Sequence, residues 1–212
     1  MHKAYKKINK QTNKALYVKF KIIEASCYDY KEDLQRCIEV YRELLTEKEE
    51  IDDVLLGTIY NNMAIVMLRN NNYKESEAFF ERAYMLRYEK APETISHVII
   101  ESAALYYEMG YMDKFYSKIT LGIELCRKHN DYQYLIEGLM QLEKAYASSG
   151  ETEKLREVYL EILEVSEKHS LRQSITSSLN KLIGLEIRCK NFAEAYKHNE
   201  KLNSYYEDIA NM

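Results

Sequence analysis

Asn62, Gln141 and Asn180 carry side-chain amides. An amide carries both a donor and an acceptor, so it can pair with one peptide unit. Arg69, Lys144, Lys181 and Arg188 can meet carboxylates, the arginines in a two-pronged fork. No comparable set points to catalysis. The sequence has no GxxxxGK[ST] or GxGxxG phosphate loop and no HExxH. Its five histidines, His2, His97, His129, His169 and His198, show no metal-ligand spacing. His129 and His169 fall near predicted helix ends, where a cation meets the helix dipole. Four scattered cysteines, Cys27, Cys37, Cys126 and Cys189, form no CxxC pair. They are expected as buried free thiols in a reducing cytoplasm. No cofactor and no enzymatic activity are implied.

These side chains must be positioned by helices. One proline and six glycines in 212 residues leave little material for the turns of a sandwich or barrel. Twenty tyrosines and no tryptophan suit helix faces that are half wet. A formal net charge of -4 gives no general pull toward nucleic acid or membrane. No apolar run is long enough to span a bilayer.

The pattern is clearest from Tyr60 to Tyr88. Tyr60, Met63, Ala64 and Met67 recur at helical spacing; Asn70 to Asn72 break the run; Tyr73, Phe79, Phe80, Ala83 and Leu86 resume it. This predicts two antiparallel helices joined by a tight turn. Asn72 with Glu75 reads as a capping pair, as do Asp29 with Glu32 and Asn191 with Glu194. The residues after each turn, Tyr30, Tyr73, Met112, Thr152 and Phe192, are 43, 39, 40 and 40 residues apart. Gly110 and Gly150 occupy the turns that want a left-handed residue, and Pro92 suits a first helical turn. Gly122 stands where close helix contact is expected.

Tyr60, Met63, Ala64, Met67, Tyr73, Ser76, Phe80 and Ala83 together resemble a tetratricopeptide (TPR) unit. The resemblance implies an all-α, right-handed α-solenoid of about five TPR-like helix-turn-helix repeats with a period near 40. It makes residues 1–212 a single repeat domain, with units at about 4–48, 52–90, 93–130, 132–169 and 171–209. Apolar stripes are expected at Ile99, Ala103, Tyr106, Phe115 and Ile119 in unit three. In unit four they fall at Leu139, Leu142, Tyr146, Leu155, Tyr159 and Ile162. In unit five they fall at Leu179, Leu182, Ile183, Ile187, Phe192, Ala195, Leu202 and Tyr205.

Residues 1–28 read as one helix, followed by another from Tyr30 to Lys48. Leu16, Phe20, Ile23 and Cys27 sit at three- and four-residue steps, so the first helix is expected to pack on something. Lys3, Lys6, Lys7, Lys10, Lys14, Lys19 and Lys21 precede the first acid, Glu24. This run reads as a solvated face or linker helix, or as a phosphate-contacting arm.

In TPR proteins the first helix of each unit, helix A, lines a concave groove. The resemblance therefore implies a peptide-binding set of Asn61, Asn62, Arg69, Glu101, Tyr107, Gln141, Lys144, Asn180, Lys181 and Arg188. His97 and Glu101 stand where carboxylate-clamp TPR adaptors want Lys and Arg, which speaks against a clamp. The degenerate repeats near 40 residues, rich in Tyr, Lys, Asn and Ile, also resemble the sensor domains of Rap/NprR/PlcR-type peptide receptors of low-GC Gram-positive bacteria. That resemblance implies a cytoplasmic, non-enzymatic, peptide-sensing domain of a transcription regulator. No helix-turn-helix or three-helix effector bundle is evident, so direct nucleic-acid contact is not expected. The alternative is a free-standing scaffold that docks another protein, with a homodimer through an end unit as a further expectation.

Overall fold

The computed structural model describes residues 13–210, with side chains to residue 207. Among the described residues are ten α-helices and no strand. They are α1 (Lys14–Tyr30), α2 (Leu34–Leu45), α3 (Asp53–Arg69), α4 (Tyr73–Lys90), α5 (Ile95–Glu108), α6 (Met112–His129), α7 (Tyr132–Ser149), α8 (Thr152–Lys168), α9 (Arg172–Arg188) and α10 (Phe192–Ala210). Short 3-10 turns occupy Lys48–Glu50 and Pro92–Thr94. Consecutive helices pair as hairpins, α1 with α2, α3 with α4, and onward to α9 with α10. The chain divides into two compact units, the first ending at Gly122 and the second beginning at Ile123.

One turn design closes every hairpin. Glu32, Asn71, Gly110, Gly150 and Lys190 each take positive φ, between 56° and 75°. The following residue then donates its N–H back across the helix end. Asp33 bonds the carbonyl of Tyr28 (3.0 Å), Asn72 that of Met67 (2.9 Å), Tyr111 that of Tyr106 (2.8 Å), Glu151 that of Tyr146 (3.0 Å) and Asn191 that of Glu186 (2.8 Å). This is the six-to-one bond of a Schellman cap, which satisfies a carbonyl the helix would otherwise orphan. The five left-handed residues are spaced by 39, 39, 40 and 40. The repeat is thus more regular than the sequence suggests.

The expected first step of 43 is corrected by the first turn. The helix expected to start at Tyr30 starts at Leu34, and Asp33 is its cap, accepting the Arg36 N–H at 3.3 Å. Glu32 is the left-handed residue, not a capping partner of Asp29. Asp29 lies inside α1 and pairs instead with Arg69. Asn72 caps α4 as expected, accepting the Glu75 N–H at 3.4 Å. The single helix over 1–28 becomes α1, begun by the Asn13 side chain accepting the Leu16 N–H at 3.0 Å. Lys3, Lys6, Lys7 and Lys10, with the first unit's expected start at residue 4, lie outside the described residues.

The TPR-like positions of the second hairpin are core. Tyr60, Met63, Ala64, Met67, Ser76, Phe80 and Ala83 are buried, and the Ser76 hydroxyl donates to the Ala64 carbonyl at 2.8 Å. Ala83 is small because Tyr60, Phe80, Val98 and Leu105 close around it. Gly122 is required by Ile100: a Cβ there would stand 2.5 Å from the isoleucine Cγ1. In the second unit Leu155, Tyr159, Leu163, Ile175, Leu179, Leu182, Leu185 and Leu202 form a continuous core. Ile187 and Phe192 are exposed rather than buried, because the hairpin turn at Lys190 carries them to its outer side. Cys37 and Cys126 are buried, but Cys27 is half-buried and Cys189 exposed, against the expectation of burial for all four. No helix among the described residues is long and apolar enough to cross a membrane.

Candidate functional site

The first helices of four hairpins, α3, α5, α7 and α9, carry the candidate peptide-binding residues. Their polar side chains are joined to one another. In the first unit Arg69 on α3 pairs with Asp29 on α1, and the Asn61 amide on α3 donates to Glu101 on α5. In the second unit Lys181 on α9 donates to Glu143 on α7 at 2.8 Å. These bridges span 40, 40 and 38 residues of sequence, one repeat each. Helices one repeat apart present the same face, so a complementary pair at that offset meets sideways.

Asn61 is the most altered of the expected groove residues. It is 7% exposed, and its Oδ1 is buried with no hydrogen-bond partner. It braces α3 to α5 rather than facing water. Asn62 is half-buried, and its amide donates to the Tyr41 hydroxyl at 3.2 Å. Burial raises the Tyr41 phenol to about 12, so it stays a neutral hydrogen-bonding group. Ser26, Asp29, Tyr41, Asn62, Ile65 and Val66 line a small polar cavity of about 150 Å³. Its polar groups come from α1, α2 and α3. Glu101 is half-buried, and Tyr107 packs edge-on against Phe115 with ring centroids 5.4 Å apart.

In the second unit the centre is Glu143. It accepts from Lys181 and, at 3.3 Å, from the Tyr159 hydroxyl. Burial, and then the nearby Glu143 charge, push the Tyr159 phenol up to about 12. The Lys181 ammonium also lies 5.7 Å from the Tyr159 ring centroid. Gln141 is half-buried on the same helix. Lys144, Asn180 and Arg188 are exposed; the Asn180 amide donates to its own helix at the Thr176 carbonyl, 2.8 Å away.

Asp29, Tyr41, Glu143 and Tyr159 belong to these sites, and sequence reasoning passed over them. One signal could have found two of them: an acid one repeat away from an A-helix cation, Asp29 for Arg69 and Glu143 for Lys181. Nothing local marks Tyr41 or Tyr159 among the other tyrosines. Two further clefts of the first unit lie against α4, away from these residues. One of about 630 Å³ is bordered by Asp53, Tyr60, Arg82 and Met85; one of about 420 Å³ by Tyr84, Val98, Tyr106 and Lys118. Among the described residues no group of three or more His, Cys, Asp or Glu is placed to hold a metal ion.

No family model matches the chain, and no curated protein matches it. Solved structures do share its fold. A putative kinesin light chain from Podosopora anserina, with nearly identical TPR-like repeats, superposes with TM-score 0.67 at 13% identity, covering 91% of this chain and 96% of that one. The fold is a TPR-like helical solenoid. Aspartyl phosphate phosphatase F from Bacillus subtilis gives TM-score 0.76 at 11% identity, covering 91% of this chain and 51% of the other. A Rap protein complexed with competence and sporulation factor gives 0.60 at 17%, covering 92% and 53%. This chain therefore spans about half the length of those two proteins. At such identities the likeness concerns the fold of the repeats, which in this class of architecture presents peptide- or protein-binding surfaces.

Proposed function

We propose that the A-helix faces of this TPR-like chain bind an extended peptide or partner segment, as the non-enzymatic regulatory sensing part of a bacterial, cytoplasmic transcription regulator. The observation that carries the reading is the set of repeat-to-repeat bridges, Asp29–Arg69, Asn61–Glu101 and Glu143–Lys181. A peptide offers the same chemistry: amide donors, carbonyl acceptors and a carboxylate. It can exchange a bridge between neighbouring helices for a bridge through itself. Each repeat touches only its neighbours, so a small rotation released at one bridge adds to the next. The likeness to a Rap protein complexed with competence and sporulation factor supports a ligand-binding reading of these repeats.

Native mass spectrometry of the purified chain, before and after adding a pool of short secreted peptides, tests this. A bound mass of several residues is expected. Asn62→Ala should weaken a peptide seated on the first unit, at a small cost in stability because the buried Tyr41 hydroxyl loses a partner; Lys144→Glu with Arg188→Glu should weaken one seated on the second unit while the melting temperature holds. If no pool yields a bound peptide, the sensor reading fails. The scaffold reading then gains, with the α4 clefts as the seat for a partner's side chains.

A further inference from the structure

Within the first unit, α4, α5 and α6 border a cleft of about 420 Å³. Its floor is apolar: Phe80 on α4 and Val98, Ile99 and Leu105 on α5 line it and are otherwise buried. Its mouth is apolar too, with Met85 56% exposed and Leu121 47% exposed. Sites for small molecules are built this way. They are mostly apolar, about 300–1,000 Å³ in volume, and carry a few polar groups that fix the ligand's orientation.

Several polar groups of this cleft are already engaged. The Tyr106 hydroxyl donates to Glu77 at 2.9 Å. Burial, and then Glu77, push that phenol up to about 12, so it stays a donor and keeps Glu77 as its acceptor. The Ser102 hydroxyl donates to the Ile99 carbonyl of its own helix at 2.9 Å. Lys118 on α6 differs. It is half-buried, and among the described residues its ammonium has no hydrogen bond and no ion pair. It stands 5.6 Å from the centroid of the Tyr106 ring, and Lys114, one turn earlier, stands 5.1 Å from the same centroid. Burial holds Lys118 below its ordinary pKa against the attraction of Glu77 and Glu81, and the Lys114 charge adds repulsion. A half-buried ammonium with three N–H donors and no acceptor is costly, and a ligand that supplies the acceptor relieves the cost.

The surroundings of Lys118 fix the charge of that acceptor. Glu77 is occupied by Tyr106, and Glu81 is exposed, so the unspent charge in the cleft is positive. A carboxylate makes the stronger, charge-assisted bond to Lys118 and offsets the Lys114 charge beside it. A neutral head group takes the hydrogen bond alone. An ammonium would meet two others. Behind the head group the floor offers only apolar surface, which calls for an apolar tail.

We propose that the cleft between α4 and α6 binds a small monocarboxylate with an apolar tail, the carboxylate on Lys118 and the tail against Phe80, Val98 and Leu105. The site is separate from the peptide-binding faces proposed for the A helices, and neither reading depends on the other.

Calorimetric titration of the full chain with octanoate, octanol and octylamine, three probes with the same tail, is the test. One octanoate should bind per chain. Octanol should bind about tenfold more weakly, the worth of one charge-assisted contact, and octylamine should not bind. Lys118→Met keeps an apolar stem and should lower octanoate to the affinity of octanol without loss of melting temperature. Lys118→Arg should retain octanoate. Reductive methylation read by peptide mass spectrometry locates the ligand: octanoate should protect Lys118 and leave Lys74, exposed at the start of α4, unprotected. Absence of octanoate binding overturns the proposal, as does equal binding of octanol. Octylamine binding above octanoate would assign the cleft to Glu77 and Glu81 and overturn it as well. Octanoate binding that survives Lys118→Met, or that leaves Lys118 open to methylation, overturns the placement of the carboxylate.

Discussion

The two units of the chain join one hairpin to the next in different ways. In the first unit the connections are 3-10 turns, Lys48–Glu50 and Pro92–Thr94, and side chains finish them. Asp52 accepts the N–H groups of Val54 (3.0 Å) and Leu55 (3.3 Å). Thr94 donates to the Ala91 carbonyl at 2.9 Å and accepts from Arg87 at 2.8 Å. In the second unit a single left-handed residue does the same task, Asn130 before α7 and Ser170 before α9. Backbone bonds finish these turns: Asp131 to Cys126 (2.9 Å) and Leu171 to Ser166 (2.8 Å). The first half relies on side-chain identity at its joints, the second chiefly on tolerance of positive φ, although before α7 the Asp131 side chain also accepts the Tyr134 N–H at 3.2 Å. Substitutions should therefore hurt them at different places.

The largest effect tests whether the halves fail separately. Ala83→Glu forces a charge among Tyr60, Phe80 and Leu105 and should unfold the hairpin of α3 and α4, at a cost of about 3 kcal/mol or more. Hydrogen exchange should then accelerate in α3 and α4 while α8 and α9 stay protected. Uniform loss of protection would show one cooperative block instead.

The matching lesion in the second unit is Glu186→Ala. Glu186 is 1% exposed and receives the Arg156 guanidinium at 2.5 Å and 3.3 Å. Removing it should cost about 2–3 kcal/mol, discounted because Arg156 is partly exposed. The same pair sets a pH dependence. Hydrogen bonding from Arg156 holds the Glu186 carboxyl below its ordinary 4.5. Its stabilisation is present above that value and is lost as pH falls through the lower folded value. Acid titration of the melting temperature should show this loss in the wild type and not in Glu186→Gln.

Smaller effects separate the joints. Asp52→Ala should cost about 1–2 kcal/mol, since two helix-start N–H groups lose their acceptor. Gly150→Ala, at φ 74°, should cost about 1 kcal/mol in a hairpin turn. Ser170→Gly should go the other way and stabilise by up to about 1 kcal/mol, because serine at φ 55° bears the left-handed strain. Chemical denaturation reads all three. A neutral Asp52→Ala beside a costly Ser170→Gly would reverse the contrast drawn between the halves.

Legibility in the sequence follows how local each cause is. The hairpin of Tyr60 to Tyr88 was readable because small and large apolar residues alternate at helical spacing, and Asn72 both ends one run and caps the next. Gly110 and Gly150 announced their turns. Glu32, Ser170 and Lys190 take the same backbone shape with residues that ordinarily avoid it, so those turns were silent. That silence displaced the first hairpin turn and its cap from Asp33 to Asp29. The candidate site was less legible still. Amides and cations on the A helices could be named, but whether each faces water depends on a partner one repeat away.

The sequence by itself determined the helical repeat, its period near 40 and the buried positions of the central hairpins, because helical periodicity and capping act within a few residues. Only the tertiary structure decided that Asn61 is buried against Glu101 and that Asn62 turns to Tyr41. It likewise decided that Leu16, Ile23 and Tyr30 stand outside the core. A helix's periodicity marks which residues share a side. Which side finds a neighbour is set by side chains forty residues away, arriving through turns that hold the same register.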